Sequence, residues 1–207
     1  MGSDLPKQFL PVKGKPLLMH TLERFYRWDP AAEIILVIPE DQEEYWDMLC
    51  REIDCIVPHR IAPGGETRFH SVKNGLELTT HPSLIAVHDG VRPFVSDAVI
   101  SRCFDVASSH GAAIPVLPVV ESLRRITPEG SAAVNREEYV SVQTPQVFRS
   151  EIIYEAYQQG YSLHFTDDAS VVEAAGFPVK LVQGNPENIK ITTPQDLAVA
   201  QFLLSKH

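Results

Sequence analysis

Apolar and polar residues follow one another along this chain in a pattern that predicts alternating strands and helices. Ile34 to Ile38 form a continuous apolar run rich in β-branched side chains, which predicts a strand buried on both faces. The pattern predicts a helix from Asp41 to Arg51, a buried strand from Leu84 to Val87 and a further strand from Ala112 to Val120. Such alternation predicts an α/β fold with βαβ crossovers, a mainly parallel twisted sheet and helices on both of its faces.

Capping and turn residues mark where three further helices are expected to begin. Ser96-Asp97 is a typical helix cap, and Thr193-Pro194 combines an N-cap residue with a proline suited to the first helical position. Gly64-Gly65 is a turn that precedes another helical pattern. Two of these helices are expected to bury apolar faces, one through Phe69, Val72 and Leu76 and the other through Val99, Ile100, Cys103, Phe104 and Ala107.

Ser122 to Ser141 interrupts this alternation, because it contains two short strand-like pieces around a Pro-Glu-Gly turn and few residues that could enter a core. We interpret residues 121–142 as a protruding hairpin, called the arm below. An extension with too little apolar surface to cover itself can pack on a second subunit, which would make the protein a homodimer. A solvated loop explains the same pattern equally well, and both interpretations stay open.

Length and charge narrow the classes of function. The 207 residues are interpreted as a single domain over residues 1–207 with a sizeable core. The net charge of −9 argues against a nucleic-acid groove, since such a groove requires an extended basic surface. Any anion site must therefore be a local cluster of cations, which favours a small phosphorylated ligand.

Features of the sequence also bear on the cellular compartment. No apolar run approaches the roughly 20 residues of a membrane span, and the N-terminus has no pattern of a secretory signal. Cys50, Cys55 and Cys103 show no metal-ligand spacing, and their odd number suits the reducing cytoplasm. We expect each cysteine to be a small hydrophobic residue in a cytoplasmic protein.

The candidate chemistry begins where the predicted strand from Leu84 to Val87 stops. His88-Asp89-Gly90 and then Arg92 follow it at once. Ligands of open α/β sheets lie beyond the carboxyl ends of the strands, so a carboxylate, a glycine and an arginine here predict an active edge. An ordinary Asp-Gly turn accounts for the same residues. We assign no function to His88 from the sequence.

Other short segments carry polar or charged residues where they could bind an anion. A glycine turn at 63–65 leads into a helix N-terminus, whose free N–H groups can face a phosphate, and Arg68 and Ser71 share one face of that helix. Lys190 is expected inside an apolar strand, where a lysine must reach solvent or pair with an anion. The remaining segments are Lys7 in an N-terminal loop, Gln143-Thr144-Pro145-Gln146 and the helix start Thr166-Asp167-Asp168. Each segment alone favours a structural interpretation.

The order of these segments is more informative than any one of them. The strings KQF, PGGETR, VHDGVRPF, QTPQ-x-F, TDDAS and NIKITTP-x-DL extend over essentially the whole chain. In that order they resemble the 2-C-methyl-D-erythritol 4-phosphate cytidylyltransferases of the non-mevalonate isoprenoid pathway. The resemblance implies a Rossmann-like nucleotidyltransferase fold and a β-arm that forms a homodimer. It also implies that an oxygen of a sugar-alcohol phosphate attacks the α-phosphate of CTP and that pyrophosphate is released.

The resemblance further implies roles for individual residues. Around CTP it places Gly64, Gly65, Glu66, Arg68, Ser71, Asp89 and Gly90, with Asp89 as the ligand of Mg²⁺. Lys7 would neutralise the triphosphate, and Lys190 and Arg136 would join it in the catalytic set. The acceptor pocket would be lined by Arg92, Thr144, Thr166 and Lys190, together with Ser122 and Arg136 from the neighbouring subunit's arm.

Two departures from the family pattern affect these expectations. The family begins with a strand and a glycine-rich, arginine-containing loop upstream of the position of Met1, so we expect poor catalysis from the residues as they stand. Turnover of CTP at a rate comparable with that of a chain carrying the upstream loop would contradict this expectation. Glu121-Ser122-Leu123-Arg124 also stands where Asp-Thr-Leu-Lys is usual, and arginine does not always replace lysine well.

Two other functions stay open. Ribitol 5-phosphate cytidylyltransferases share the scaffold and the HD-x-x-RPF signature, and Val91 in place of a small alanine favours them slightly. The segment from Gly64 to Leu76 favours the methylerythritol enzyme more strongly. The other alternative is a non-catalytic nucleotide-binding domain, against which the retention of Lys7, Asp89, Arg136 and Lys190 argues.

Overall fold

The computed structural model describes residues 6–80 and 82–205, in which helices and strands alternate frequently. The helices are α1 Leu17–Trp28, α2 Glu43–Glu52, α3 Arg68–Glu77, α4 Asp97–His110, α5 Ser150–Ala156, α6 Asp168–Ala174 and α7 Pro194–Leu204. The strands are β1 Pro11–Val12, β2 Lys15–Pro16, β3 Ile35–Ile38, β4 Arg60–Pro63, β5 Leu84–Val87, β6 Ala112–Pro118, β7 Arg124–Thr127, β8 Gly130–Ala133, β9 Val140–Val142, β10 Gln146–Arg149 and β11 Lys180–Gln183. Short 3-10 turns lie at Lys7–Phe9, Glu40–Gln42 and Arg136–Glu138.

The central sheet has the strand order β11–β6–β10–β5, and β9 pairs with the end of β6. Strands β5, β6 and β11 run in one direction, because β11 is parallel to β6 and both β5 and β6 are antiparallel to β10. The predicted α/β class, with main strands that share a direction, is confirmed. Strand β10 is inserted between β5 and β6 in the opposite direction, which the hydrophobic pattern does not reveal.

A second sheet consists of β3 and β4, which pair in parallel over their whole lengths. Helix α3 joins this sheet to the central one. Its Gly75 packs against Val37 of β3, while its Leu76 enters a core cluster with Val87 of β5. Because β4 leads directly into the 64–67 loop and α3, these contacts fix where that loop lies.

Helices cover both faces of the central sheet, as predicted. Along β5, Leu84 and Ala86 face α1 and α4, whereas Ile85 and Val87 face α3, α5 and α6. The same alternation divides the side chains of β6 and β10 between the two layers. All four side chains of β5 are only partly buried, which corrects the prediction of a buried strand, because within residues 6–80 and 82–205 β5 has a strand partner on one side only.

The predicted starts of α4 and α7 are confirmed. Ser96 caps α4 by accepting a hydrogen bond from an amide of the first turn at 3.3 Å. Thr193 and Asp196 form a reciprocal capping box at the start of α7, with Pro194 at its first position. Helix α2 begins at Glu43, later than predicted, because a 3-10 turn precedes it. None of the helices in the described part of the chain is long and apolar enough to cross a membrane.

The segment from Asn188 to Thr192 is not a strand, which corrects another prediction. One backbone hydrogen bond, from the Ile191 amide to the Val91 carbonyl (3.0 Å), ties it to the turn after β5. Ile191 is buried in a cluster with residues of α1 and α7. The apolar pattern of this segment therefore reflects packing against helices without a strand partner.

Strands β7 and β8 form an antiparallel hairpin around Pro128-Glu129-Gly130, as the two strand-like pieces predicted. Within the described part of the chain, these two strands pair only with each other. Ile126 of β7 is 86% exposed. The packing of the arm on a second subunit stays a prediction.

We predict that Gly65→Ala destabilises the loop between β4 and α3. A Cβ atom at position 65 would lie 2.4 Å from Cβ of His70 and 2.9 Å from the backbone nitrogen of Ser71, so the loop must move away from the helix. The expected loss of stability is about 1–3 kcal/mol, measured by urea unfolding. Gly160→Ala is the matched control, since nothing lies within 4 Å of the corresponding position. Equal effects of the two substitutions would contradict this account.

Candidate active site

Asp89 follows β5 closely, and its carboxylate is the centre of a cluster of charged side chains. Its Oδ2 lies 3.0 Å from Nε of Arg92 and 3.2 Å from Nζ of Lys190, and 14% of the Asp89 side chain is exposed. Burial acts to raise the pKa of this carboxyl, but the charges of Lys190 and Arg92 outweigh burial, and the pKa is lowered. Asp89 is therefore ionised and held by two cations.

The turn after β5 brings Arg92 back to Asp89. The Arg92 amide donates to the Asp89 carbonyl at 3.0 Å, which closes the turn and leaves the two side chains beside each other. Arg92 also donates through Nη1 to the backbone carbonyl of Asn188 at 2.8 Å. The segment that carries Lys190 is thereby fixed against the turn, and this contact brings Lys190 to Asp89.

A second charged pair lies at the start of α3. Arg68 donates from Nη1 and Nη2 to the two carboxylate oxygens of Asp168, at 2.8 and 2.6 Å. Asp168 is fully buried and also accepts from the Tyr157 hydroxyl at 2.7 Å. Burial acts to lower the pKa of Arg68, yet the hydrogen bond and charge of Asp168, with the charge of Asp89, raise it above its usual range. Arg68 thus stays charged and adds to the potential at Asp89.

The loop between β4 and α3 uses its own polar groups internally. The Gly65 amide donates to the Ser71 hydroxyl at 2.9 Å, and that hydroxyl donates to the Thr67 carbonyl at 3.0 Å. Thr67 also caps α3 by accepting from the His70 amide. The Gly65 amide is therefore occupied, whereas the Glu66 side chain is exposed. The expectation that free amides at the N-terminus of α3 face a phosphate stays a prediction.

Thr144 and His88 form a pair behind the turn. Thr144 is 6% exposed, and its hydroxyl oxygen lies 3.1 Å from the Asp89 amide and 3.0 Å from Nδ1 of His88. Nε2 of His88 lies 2.9 Å from the Arg92 carbonyl oxygen. Burial lowers the pKa of His88 to about 4, although its bond to Arg92 acts in the opposite direction. The hydroxyl of Thr144 is thus engaged by protein groups.

Gly90 and Gly64 are explained by close packing within the protein. A Cβ atom at Gly90 would come 2.8 Å from the side chain of Leu18 on α1. Thr21 of the same helix donates to the Gly90 carbonyl at 2.8 Å. At Gly64, a Cβ atom would lie 3.2 Å from the backbone nitrogen of Pro39, which follows β3. A larger side chain would therefore require Leu18 to move at Gly90, and at Gly64 it would be tight against the Pro39 backbone.

Four predicted site residues lie outside both the Asp89 cluster and the segment 64–71. Lys7 and Thr166 are exposed, and Ser122 and Arg136 are exposed on the arm. Arg136 donates to a backbone carbonyl at the base of the arm. Among residues 6–80 and 82–205, none of the four forms an ion pair or hydrogen bond with the cluster. Their roles stay predictions.

The turn that carries Lys7 is anchored to helix α2. Phe9 is buried against Tyr45 and Trp46, with ring centroids 5.4 and 5.9 Å away. Gln8 donates to a side chain just before α2 at 2.7 Å. The backbone at Lys7 is therefore held in place, although the lysine side chain itself is exposed.

The sequence does not indicate the partners of the buried polar side chains that hold the site residues. Gln143, Gln146, Asp168 and Asn188 are each at most 5% exposed. Gln146 donates to Asp167 at 2.8 Å and accepts from an amide of α6, which fixes the start of that helix. A polar residue inside an otherwise apolar segment indicates a buried polar side chain, but it does not identify the partner of that side chain.

In the Asp89 cluster a metal ion could bind only the carboxylate, because Arg92 and Lys190 are themselves cations. Among the described residues, no group of three or more His, Cys, Asp and Glu side chains could hold a metal ion. Asp89 offers one carboxylate, and both of its ion pairs fall on Oδ2. Mg²⁺ commonly binds through one or two carboxylates with substrate phosphates and water. The residues present therefore fit Mg²⁺ only with a ligand that supplies further oxygens.

We predict that Asp168→Asn destabilises the protein by about 2–4 kcal/mol, because it leaves the Arg68 guanidinium without its counter-charge beside a fully buried site. The value is discounted since the Arg68 side chain is 38% exposed. Chemical unfolding provides the measurement. Asp97→Asn is the matched control: Asp97 pairs with Arg24 but is 64% exposed, so its loss should be below about 1 kcal/mol. A loss at Asp168 no larger than at Asp97 would refute this assignment.

Comparison with known proteins gives a consistent result along the whole chain. The family model described as 2-C-methyl-D-erythritol 4-phosphate cytidylyltransferase matches residues 1–206. A protein of that name from Bacteroides thetaiotaomicron is 60% identical over 204 residues, which cover 99% of this chain and 93% of the relative. One from Porphyromonas gingivalis is 54% identical over 206 residues, with 99% and 92% covered.

Solved structures share the fold. The crystal structure of 2-C-methyl-D-erythritol 4-phosphate cytidylyltransferase from Thermus thermophilus matches with a TM-score of 0.80 and 37% identity, covering 97% of this chain and 94% of that one. The 4-diphosphocytidyl-2C-methyl-D-erythritol synthase from Anaerococcus prevotii matches with a TM-score of 0.84 and 30% identity, covering 99% and 92%. With sequence and fold in agreement, this chain belongs to the 2-C-methyl-D-erythritol 4-phosphate cytidylyltransferase family, a family of nucleotidyltransferases.

Proposed function

We propose that this chain transfers the cytidylyl group of CTP to 2-C-methyl-D-erythritol 4-phosphate, forming 4-diphosphocytidyl-2-C-methyl-D-erythritol and pyrophosphate. The observation that carries the proposal is the cluster around Asp89, where Arg68, Arg92 and Lys190 concentrate positive charge on a chain of net charge −9. The cluster lies beyond the carboxyl end of β5, where open α/β sheets bind their ligands. Family membership supports the choice of CTP and of this acceptor.

This reaction depends more on positioning and charge neutralisation than on a nucleophilic side chain. An oxygen of the acceptor phosphate attacks the α-phosphorus of CTP, the bond to the bridging oxygen of the β-phosphate breaks, and pyrophosphate leaves. Arg92 and Lys190 are held by Asp89 and have further N–H groups that can bind phosphate oxygens. Lys7 would neutralise the triphosphate from the turn that α2 anchors.

The nucleotide would bind beside the loop between β4 and α3. Arg68 joins the start of α3 to α6 through Asp168, so the position of this loop depends on that pair. The exposed Glu66 side chain faces solvent and is available to cytosine and ribose, whereas the amides of Gly64 and Gly65 donate within the protein. The residues proposed around CTP are Gly64, Gly65, Glu66, Arg68, Ser71, Asp89 and Gly90.

Asp89 would hold Mg²⁺ through Oδ1. Both ion pairs of this carboxylate fall on Oδ2, so the described residues leave Oδ1 for a metal ligand bond. The other ligands would be phosphate oxygens and water, as Mg²⁺ prefers. When bound, the ion would offset part of the triphosphate charge.

The arm would complete the acceptor side in a homodimer. Large apolar side chains are exposed on the arm and beside it, among them Val120 (75%), Ile126 (86%) and Leu181 (57%). Large exposed apolar side chains can mark an interaction surface. Ser122 and Arg136 would reach from the arm into the acceptor pocket of the second subunit, whose lining would include Arg92, Thr144, Thr166 and Lys190.

A cytoplasmic location suits the cysteines. Cys50, Cys55 and Cys103 are free thiols. Burial raises the pKa of Cys103 to about 12, so this thiol is unreactive. Free thiols of this kind are typical of reducing compartments.

Ribitol 5-phosphate is the second candidate acceptor because of Val91. The Val91 side chain packs against the cluster that contains Val12 and Ile191, so it supports the turn after β5. Because Val91 is explained by this packing, it gives little reason to prefer ribitol 5-phosphate as the acceptor. Methylerythritol phosphate therefore stays the first choice.

We predict pyrophosphate release that depends on CTP, Mg²⁺ and 2-C-methyl-D-erythritol 4-phosphate. The assay uses this chain and the same chain extended upstream by the strand and glycine-rich loop of the family. The expected kcat/KM with methylerythritol phosphate exceeds that with ribitol 5-phosphate by at least about tenfold. Lys190→Ala should lower kcat by about 100-fold, because a cation is lost beside the reacting phosphates. Lys180→Ala, at an exposed lysine of β11, is the matched control and should have no effect.

Each other result of this assay has a clear meaning. The absence of pyrophosphate release from both chains would overturn the proposed activity. Calorimetric binding of CTP without release would favour the non-catalytic nucleotide-binding alternative. A preference for ribitol 5-phosphate would replace the acceptor.

We predict a dimer in solution that Ile126→Asp disrupts. A charge at a side chain that is 86% exposed costs the monomer nothing in packing, but it opposes burial in an interface. Sedimentation velocity at micromolar concentration should show a dimer for the wild type and a monomer for the variant. Ile56→Asp is the matched control, since Ile56 is 77% exposed on a different part of the surface. A wild-type monomer, or equal effects of both substitutions, would refute the role of the arm.

A further inference from the structure

We propose that His88 is a positioning residue whose ring, with a proton on Nε2, fixes the turn that carries Asp89 and Arg92. The inference rests on the proposed function, because the carboxylate and guanidinium in this turn are the groups assigned to the metal ion and the phosphates. The ring acts through Thr144 and the backbone, and no contact with a substrate is required of it.

The contacts of the ring fix the direction of its hydrogen bonds. Nε2 of His88 lies 2.9 Å from the Arg92 carbonyl oxygen, which can only accept, so Nε2 carries the proton. In a neutral ring Nδ1 is then the acceptor, and the Thr144 hydroxyl at 3.0 Å donates to it. The Asp89 amide donates to the same hydroxyl oxygen at 3.1 Å. The donors thus form one continuous series from Asp89 through Thr144 and His88 to Arg92.

The ring connects both ends of the turn to the protein interior. Each backbone carbonyl of residues 89–92 accepts a hydrogen bond. The Asp89 carbonyl accepts from the Arg92 amide at 3.0 Å and the Gly90 carbonyl from the Thr21 hydroxyl at 2.8 Å. The Val91 carbonyl accepts from the Ile191 amide at 3.0 Å and the Arg92 carbonyl from His88 Nε2 at 2.9 Å. The last of these bonds comes directly from His88. The same ring orients the Thr144 hydroxyl that holds the Asp89 amide at the start of the turn. Loss of the ring therefore releases the first and last residues together.

The surroundings of His88 hold the ring in one orientation. The ring packs edge-on against Phe25 of α1, with centroids 4.7 Å apart. Thr144 is fixed from its other side, because its carbonyl accepts from the buried side chain of Asn188 at 2.8 Å. Since the hydroxyl partner and the ring are both immobilised, the Asp89 carboxylate keeps a constant position relative to Arg92.

Three substitutions distinguish the contributions of the two ring nitrogen atoms. His88→Gln retains an N–H donor near the position of Nε2 and removes Nδ1, whereas His88→Asn retains an acceptor near Nδ1 and removes Nε2. Thr144→Val removes the hydroxyl that joins the ring to Asp89. The matched control is His110→Asn, at an exposed histidine in the last turn of α4.

Nuclear magnetic resonance of the full ¹⁵N-labelled chain tests the arrangement directly. We expect long-range ¹H–¹⁵N spectra at neutral pH to show the Nε2–H tautomer of His88. Hydrogen exchange of the Asp89 amide should accelerate about tenfold in His88→Gln and in Thr144→Val, and no further in the double variant, because His88 acts on this amide only through the hydroxyl that Thr144→Val removes. His88→Asn should leave this amide protected. His110→Asn should change neither measurement.

Calorimetric titration with CTP and Mg²⁺ tests whether the position of the turn affects binding. Affinity should fall about 3- to 10-fold in His88→Gln, His88→Asn and Thr144→Val, which corresponds to the loss of about one hydrogen bond. His110→Asn should retain the affinity of the wild type. Unchanged affinity in His88→Gln and Thr144→Val despite faster exchange would refute the positioning role.

The failure of this inference differs from the failure of the proposed function. A proton on Nδ1, or an Asp89 amide that does not respond to His88→Gln, would overturn the inference whether or not CTP is bound. A wild-type chain that binds no CTP but shows the expected spectra and exchange would contradict the proposed function, while the link between His88 and the turn would stand.

Discussion

The ionised carboxylate of Asp89 is the interaction on which the arrangement of the site depends. Cations from separate parts of the chain converge on it: Arg92 from the turn itself, Lys190 from the segment before α7, and, at longer range, Arg68 from α3. A carboxylate that is 14% exposed is costly without opposite charge around it, so its ionisation requires these partners. In turn, the carboxylate fixes cations that would otherwise be mobile. One partly buried anion thus gathers positive charge at a single edge of the sheet.

Much of the fold could be predicted because it depends on local sequence. Caps such as Ser96 and Thr193 determine where a helix begins through contacts within one turn, and apolar runs reveal which residues are buried. Strand direction and pairing depend on distant segments. Strand β10 is antiparallel, and 188–192 has no strand partner among the described residues, because of the segments that lie beside them in the fold. The periodicity of the sequence does not show which segments these are. The partial burial of β5 has the same origin, since it depends on the position of this strand in the sheet order.

The site shows the same division between local and distant information. Asp89 and Arg92 lie three residues apart at the end of a predicted strand, so their proximity was predictable from the sequence alone. The partner of Arg68 lies 100 residues away, and Thr144 and His88 are 56 residues apart. The resemblance to a family identified Arg68 and Thr144 as important, but it did not indicate which buried groups they contact. Only the three-dimensional packing shows that Thr144 joins His88 to Asp89, and that Gly90 lies against Leu18 of α1.

The charges in the cluster explain why further cations are needed for a triphosphate. Arg68 is matched by Asp168, and Asp89 offsets one of the two charges of Arg92 and Lys190, so about one positive charge is left without a partner in the cluster. A triphosphate carries several negative charges, and the proposed sources of additional positive charge are Lys7 and Mg²⁺. Lys7 is suited to this role because its backbone is fixed by the burial of Phe9 while its side chain is exposed. The cluster by itself therefore matches a single phosphate group, and in the proposed function the triphosphate would also need Lys7 from the N-terminal turn.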